Sequence, residues 1–253
     1  MTDLVDRART LRDLHHSSGP LLLPNVWDAA SARAVADAGF PVVATSSFAV
    51  AASLGFPDAD SMPVDAAFDA VARIAAAVDL PVTADLEAGY GLSPTELVAR
   101  LLAAGAVGCN LEDTEHHGAG ILVPIEQQVK RLQAVRVARE AAGVPIVINA
   151  RIDVFLRRAD PPETQLGEAL RRAKAYLAAG ADCLYPIGLT DAAAIGQFVR
   201  EIGAPVNIWL RPDGPSRETL AGLGVARISL AGGLFRQAMA EVQRVLAALQ
   251  AGP

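Results

Sequence analysis

Cysteine is almost missing from this chain, with only Cys109 and Cys183 among 253 residues. Two thiols without metal-site spacing exclude a disulfide framework and a zinc module. Charge of one sign is never concentrated either. The 22 Lys and Arg are outnumbered by 28 Asp and Glu, giving a net charge of −6 with no basic run. That excludes the electrostatic footprint of a nucleic-acid binder. No apolar stretch reaches the ~18 uninterrupted residues of a membrane span. The N-terminus, MTDLVDRARTLRDLHH, mixes acids with bases and has no apolar centre, so it is not a signal peptide. No G-x-G-x-x-G follows the first apolar run, and G-x-x-x-x-G-K-S/T is absent. The expectation is a soluble, cytoplasmic protein with no nucleic-acid or membrane partner.

What the chain does have is a repeated phrase. Ala38-Gly39-Phe40-Pro41-Val42-Val43, Ala104-Gly105-Ala106-Val107-Gly108-Cys109, Ala179-Gly180-Ala181-Asp182-Cys183-Leu184 and Leu223-Gly224-Val225-Ala226-Arg227-Ile228 each stop an Ala-rich helical stretch with Gly and enter a short apolar strand. Leu80-Pro81-Val82, Val144-Pro145-Ile146 and Ala204-Pro205-Val206 open strands with Pro near the entry, where a missing N–H is tolerated. Leu21-Leu22-Leu23-Pro24-Asn25-Val26 makes the eighth. Helical patterns over 31–38, 65–77, 94–104, 124–142, 164–179, 191–202 and 217–223 separate them. Strand and helix alternating eight times in this length predicts a single-domain α/β protein over 1–253, a (β/α)8 TIM-type barrel. An amphipathic leading helix (Leu4, Val5, Ala8, Leu11) precedes it.

In such barrels the chemistry lies at the C-terminal strand ends. Those ends read Trp27-Asp28, Thr45-Ser46-Ser47, Asp85 with Glu87, Glu112-Asp113, Arg151 with Asp153, Tyr185-Pro186, Trp209 with Arg211, and Ser229. Asp85 and Glu87, read as strand positions i and i+2, share a face. Two buried like charges are costly unless a cation or proton lies between them. Oxygen donors without His or Cys partners suit a hard, hydrated cation, Mg2+ with Mn2+ as substitute. Arg151 is a natural partner for a substrate carboxylate through its planar fork.

Other readings stand beside these. Asp28 also fits a helix cap, and Arg151 with Asp153 a structural ion pair. Cys109 and Cys183 fit core fillers. His15 and His16 are expected to face solvent from the leading helix. His116 and His117 follow the Glu-Asp pair and are candidates for the chemistry. Gly89-Tyr90-Gly91 is a tight turn whose glycines also let backbone N–H groups approach a ligand.

Taken together, Pro24-Asn25-Val26-Trp27-Asp28-Ala29-Ala30-Ser31-Ala32-Arg33, Ser46-Ser47 with Leu54-Gly55-Phe56-Pro57-Asp58, Asp85-Leu86-Glu87-Ala88-Gly89-Tyr90-Gly91, Asn110-Leu111-Glu112-Asp113 and Asn149-Ala150-Arg151 resemble the isocitrate lyase/phosphoenolpyruvate mutase superfamily. The resemblance covers nearly the whole chain. It implies a barrel whose last helix is exchanged with a neighbouring subunit in a homodimer or homotetramer, Mg2+, and C–C or C–P bond chemistry on 2-oxo or 2-hydroxy acids. Asp85 resembles the direct metal ligand, and Asp58, Glu87 and Glu112 the acids that hold the metal's waters. Ser46, Ser47 and Phe48 resemble the loop that binds the substrate's carboxylate and oxo group, where Asp85 also lies. Arg151 resembles the arginine on a substrate carboxylate.

The departure follows Asp113. Lyases of the superfamily carry Lys-Lys/Arg-Cys-Gly-His on a mobile loop, and mutases carry Lys-Thr-Asn-Ser. This chain reads Thr114-Glu115-His116-His117-Gly118-Ala119-Gly120-Ile121-Leu122-Val123, shorter and with neither Cys nor Lys. Loss of a β-carboxylate as CO2 needs no enzyme-borne base, only stabilisation of the enolate and its protonation, for which His116, His117 and Tyr185 are candidates. The expected activity is a Mg2+-dependent C–C lyase or decarboxylase acting on a small 2-oxo or 2-hydroxy carboxylate such as oxaloacetate. Two alternatives remain: hydrolysis or rearrangement of a 2-oxo phosphonate or acylated oxaloacetate, and a non-catalytic 2-oxo acid-binding protein. Asn207, with Tyr185 and Trp209, is expected to wall the variable end of the substrate.

Overall fold

A computed structural model of the chain describes residues 2–118, 120–157 and 161–251. Nine short strands are present among them: β1 (Leu21–Leu23), β2 (Asn25–Val26), β3 (Val43–Thr45), β4 (Val82–Asp85), β5 (Gly108–Glu112), β6 (Val147–Ile152), β7 (Cys183–Pro186), β8 (Asn207–Trp209) and β9 (Arg227–Ser229). All pair in parallel, in the orders β2-β3-β4-β5-β6-β7 and β1-β9-β8.

Two features join these sheets. The expected first strand is divided at Pro24, which has no N–H to give a ladder, so its halves β1 and β2 pair with opposite ends of the series. Between β7 and β8, Leu184 bridges Val206, and the Leu184 N–H donates to Pro205 O at 3.0 Å. The strand order is therefore that of a (β/α)8 barrel, with the eight expected entries in sequence.

The helices Ala29–Asp37, Val64–Ala75, Pro94–Ala103, Ile125–Ala142, Pro162–Ala179, Ala192–Ile202 and Arg217–Gly222 lie within a few residues of the sequence pattern. Each buries one apolar stripe on the strands, through residues such as Ile74, Leu101, Leu132 and Phe198, all fully inaccessible. Each such side chain contributes about 1.5–3 kcal/mol of burial. Ser47–Leu54 and Val154–Arg157 are short helices where the pattern gives only loop. The last helix is Gly233–Ala251.

The leading helix Thr2–Leu14 buries Ala8 and Leu11 completely. Leu11 comes so close to β5 that a Cβ on Gly108 would lie 2.7 Å from its Cδ2. His15, expected to face solvent, is instead buried, and its Nδ1–H donates to Leu11 O at 2.7 Å. Burial first, and then the Arg227 cation, lower its pKa to about 4, so it sits there neutral. His16 is exposed as expected.

Candidate active site

β4 delivers Asp85 to the C-terminal face, where helix Ser47–Leu54 begins beside it. Ser47 donates both its N–H (3.1 Å) and its hydroxyl (2.8 Å) to Asp85 Oδ2. Asn110, in register with Asp85 on β5, donates to Oδ1 at 3.3 Å. The Asn110 amide is itself fixed, because its Oδ1 accepts from Asn149 (2.8 Å) and from the buried Arg227 (3.2 Å). Thr45 Oγ1 accepts the Asp85 N–H at 2.8 Å. A carboxylate oxygen has more than one lone pair, so Asp85 keeps acceptor capacity toward the cavity.

Glu87 does not continue the strand alternation. β4 ends at Asp85, and Glu87 takes a left-handed backbone with φ 50°, as does Tyr90 at 54°. The i, i+2 reading of these two acids is thus corrected: the turn, and not the pleat, places Glu87. Its buried carboxylate accepts from the Asp60 N–H and, at 3.1 Å, from the Tyr90 hydroxyl. Ala59, Asp60 and Ala231 are the remaining described non-glycine residues with positive φ, and Asp60 and Ala231 stand at the same end of the barrel. Strain of this kind collects where surrounding contacts hold it for function.

Burial pushes the Glu87 pKa up to about 8, and the neighbouring Asp58, Asp85 and Glu112 charges add to the shift, against the Asp60 N–H. Asp58 is raised by burial and by Asp85. The acids therefore repel one another, a situation a cation relieves.

On β5 and β6, Glu112 is wedged between His116 and Arg151, touching His116 Nε2 and Arg151 Nη1 closely. Burial raises the Glu112 pKa to about 7 despite the Arg151 cation. Burial, the largest single cause, lowers the His116 pKa, but the Glu112 hydrogen bond and the Glu112 and Glu87 charges together raise it overall. Arg151 also forms a two-pronged pair with Asp153, Nε to Oδ1 at 2.7 Å and Nη2 to Oδ2 at 2.9 Å. The structural-pair reading of Arg151 with Asp153 therefore holds, while its guanidinium still lines the cavity. Asp113 points away from the site. It accepts from Arg172 (3.0 Å), Tyr176 (2.8 Å) and the Asp153 N–H (2.9 Å), tying β5 to β6 and to helix Pro162–Ala179.

A cavity of about 180 Å3 opens over the strand ends, lined by Ser46, Ser47, Phe48, Asp58, Asp85 and Asn110 on one side and by Arg151, Tyr185, Trp209, Ser229 and Arg236 on the other. It is smaller than the ~300–1,000 Å3 of sites for drug-sized ligands, which suits a short acid. Tyr185 is the one of the three proton-donor candidates that lines it. Its buried hydroxyl and that of Ser229 approach without closing a hydrogen bond, and burial keeps the phenol protonated, with a pKa of about 12.

His116 turns to Glu112. His117 stands exposed, 3.2 Å from Asp60. The oxygen-only reading of the acid cluster is corrected accordingly, since two imidazoles join its edge. Asn207 is also corrected: it begins β8, fully buried, in register with Arg227, and does not line the cavity. Asp28 caps helix Ala29–Asp37 in a reciprocal capping box with Ser31. Both cysteines are buried, with pKa values pushed to about 12 by burial. Asp60, Arg236 and Arg227 are site residues that pattern reading missed, because no strand-end position or motif marks them.

Among the described residues no three His, Cys, Asp or Glu side chains form a closed metal cage. A hydrated hard cation needs none, since one carboxylate in direct contact and others on its waters suffice. Asp85 and Asp58 both line the cavity, close enough for the Asp85 charge to act on Asp58. Among the described residues no helix is long and apolar enough to cross a membrane.

Comparison with known proteins adds a lineage to this geometry. The family described as phosphoenolpyruvate phosphomutase matches residues 11–250. A solved structure from Burkholderia cenocepacia J2315, provisionally called a phosphonomutase, superposes with a TM-score of 0.91 at 43% identity, over 96% of this chain and 99% of that one. An uncharacterised Mycobacterium tuberculosis protein is 31% identical over 87% of this chain and 81% of its own length. An oxaloacetate decarboxylase of Ectopseudomonas mendocina is 30% identical over 79% of this chain and 70% of its own. With its strand-end acids, its Asp-Leu-Glu-Ala-Gly-Tyr-Gly turn and this match along nearly its whole length, the chain belongs to the isocitrate lyase/phosphoenolpyruvate mutase superfamily.

Proposed function

We propose that this protein is a Mg2+-dependent carbon–carbon lyase of small 2-oxo or 2-hydroxy dicarboxylates, with decarboxylation of an oxaloacetate-type substrate as its reaction. The observation that carries the reading is the composition of the cavity: acids and Ser47 on one wall, Arg151 and a protonated Tyr185 on the other, and no thiol. After Asp113, Thr114 is bridged to Leu122 and the Val123 N–H donates to Asp113 O at 2.9 Å. A base that deprotonates a substrate hydroxyl is what aldol-type cleavage needs, and none of the described residues of 114–123 lines the cavity.

The bound cation would supply Lewis acidity at the 2-oxo group. Asp85, oriented by Ser47 and Asn110, would hold it, with Asp58, Glu87 and Glu112 on its waters. Arg151 keeps one free N–H on each terminal nitrogen for a substrate carboxylate, while Asp153 and Glu112 fix its plane. Tyr185, which lines the cavity, would give its proton to C3 as the C3–CO2 bond breaks, yielding the 2-oxo acid product and a phenolate that solvent reprotonates. Relatives named for oxaloacetate decarboxylation support this choice among the family's reactions.

We also infer a homo-oligomer. Helix Gly233–Ala251 exposes Met239, Val242, Val245, Leu246 and Leu249 at helical spacing, an apolar stripe that exchange with a second copy would cover.

The test is pyruvate formation from oxaloacetate with and without Mg2+, corrected for spontaneous decay. Mg2+-dependent turnover that disappears in Asp85→Ala is the expected result. Undiminished turnover in that variant would overturn the site assignment. Turnover of a 2-oxo phosphonate alone would favour the hydrolase or mutase reading, and tight binding without turnover the binding-protein reading.

A further inference from the structure

Beneath the cavity lies a second ring of side chains. Asp85, Arg151, Tyr185, Trp209 and Ser229 line the cavity itself. Two residues earlier on each of their strands, the same face carries Thr83, Asn149, Cys183, Asn207 and Arg227, all fully buried. In a barrel of this type such a layer is filled mostly by Val, Ile and Leu. Here it holds a hydroxyl, two amides, a thiol and a guanidinium.

Arg227 is the charge among them. Its Nη2 donates to Asn110 Oδ1 at 3.2 Å, while Nε and Nη1 have no hydrogen-bond partner among the described residues. No carboxylate therefore neutralises it directly. Burial opposes such a charge, yet a guanidinium keeps its proton. The charge is felt in the cavity, at Asp85 and at the Tyr185 hydroxyl.

The hydrogen bond to Asn110 has a direction. A guanidinium has donors only, so the Asn110 carbonyl must face it, which leaves the Asn110 N–H for Asp85 Oδ1 at 3.3 Å. Asn149 also donates to Asn110 Oδ1, at 2.8 Å, but its own Oδ1 has no partner among the described residues, so nothing pins that amide in the same way. Arg227 thus sets the polarity of the row that runs from itself through Asn110 to Asp85.

We propose that Arg227 is a positioning residue of the Asp85 site: a buried counter-cation that favours the bound acid anion, restrains the affinity for the bare divalent cation and, through Asn110, keeps an N–H turned to Asp85. This rests on the 2-oxo acid reading of the site and adds to it the residue that balances its charge from below. A cation under the floor draws an anion in and pushes a metal ion out, whereas damaged packing weakens the binding of both. The two affinities therefore move in opposite directions when the charge is lost. A freed Asn110 amide that turns its carbonyl to the metal acts in the same sense.

Calorimetry on the full-length chain measures binding of Mg2+ alone, and then of oxalate to the Mg2+-loaded protein, in wild type, Arg227→Met, Arg227→Gln and Arg227→Lys. Losing a lone buried cation relieves its own desolvation, so the two neutral variants are expected to fold. Each should bind Mg2+ about tenfold tighter and oxalate about tenfold more weakly, the scale of a unit charge acting through a protein interior. Arg227→Gln separates the charge from the donor, since its amide N–H still suits the Asn110 carbonyl. Arg227→Lys keeps the charge and should stay within about threefold of wild type for both ligands. Affinities that fall together, or stay unchanged, in a neutral variant with the wild-type circular dichroism spectrum overturn the assignment of Arg227, as does Arg227→Lys behaving like Arg227→Met. Failure of the wild type to bind oxalate with Mg2+ instead overturns the reading of the Asp85 site on which it rests.

Discussion

Asp113 sits one residue beyond Glu112 yet has a different task, and removing its partners separates the two. Its fully buried carboxylate accepts from Tyr176 at 2.8 Å, Arg172 at 3.0 Å and the Asp153 N–H at 2.9 Å. Burial, then the Asp153 charge, raise its pKa to about 6, so at pH 8 it is charged and depends on these donors. Tyr176→Phe deletes one hydrogen bond to a charged group, a loss of about 1.5–3 kcal/mol. Arg172→Met leaves a buried charge without its cation, a loss of about 3–5 kcal/mol. In a chain of this size each kcal/mol moves Tm by roughly 2–4 °C. Calorimetry at pH 8 should therefore show Tm falling by roughly 3–12 °C for Tyr176→Phe and roughly 6–20 °C for Arg172→Met. Adding Asp113→Asn to Arg172→Met removes the orphaned charge while keeping an acceptor for Asp153, so most of the loss should return. Lowering the pH of Arg172→Met below 6 should act in the same direction by protonating Asp113. A Tm change under about 2 °C for Arg172→Met, or additive losses in the double variant, would refute the buried-pair reasoning.

Glu87 carries the clearest pH dependence. Its folded pKa of about 8 lies above the ordinary 4.5, so the folded state holds its proton longer than the unfolded one. Its contribution is fully present below pH 4.5 and is lost as pH rises through 8, on the order of 5 kcal/mol in all. Urea unfolding in EDTA should show this slope in wild type and a flatter one in Glu87→Gln; equal slopes would rule out Glu87 as its source. Tyr185→Phe should lower turnover about 10²–10⁴-fold with little change in Tm, as expected for a lost proton donor, and full activity would remove Tyr185 from the chemistry. Gly108→Ala should cost about 1–3 kcal/mol, because the new Cβ meets Leu11 Cδ2 at 2.7 Å and Val147 O at 3.2 Å; a wild-type urea midpoint would mean that the leading helix yields.

Much of this protein was legible in the chain because its signals are local. Gly after an Ala-rich helix and Pro at a strand entry each act on their own backbone, so the eight strand entries and the helices between them could be read in order. Asp85, Glu112, Arg151 and Tyr185 could be placed at the C-terminal face because a strand end is a sequence position. The Asp28 cap was local too, although only the capping box decided it over a site role.

What tertiary structure alone decided were pairings between distant segments. His15 became a buried residue because the leading helix closes on β5 and the Arg227 cation lies near it, which no periodicity within 1–20 reports. Glu87 reached the acid cluster through a left-handed turn held by Asp60, 27 residues earlier, and not through strand alternation. Asn207 was drawn beneath the cavity by its register with Arg227, and Arg236 was brought over it by Phe235 packing on Trp27 and Phe48. Local backbone chemistry thus determined the barrel and its ring of strand-end residues, whereas long-range packing and the placement of charges decided which of those residues face one another.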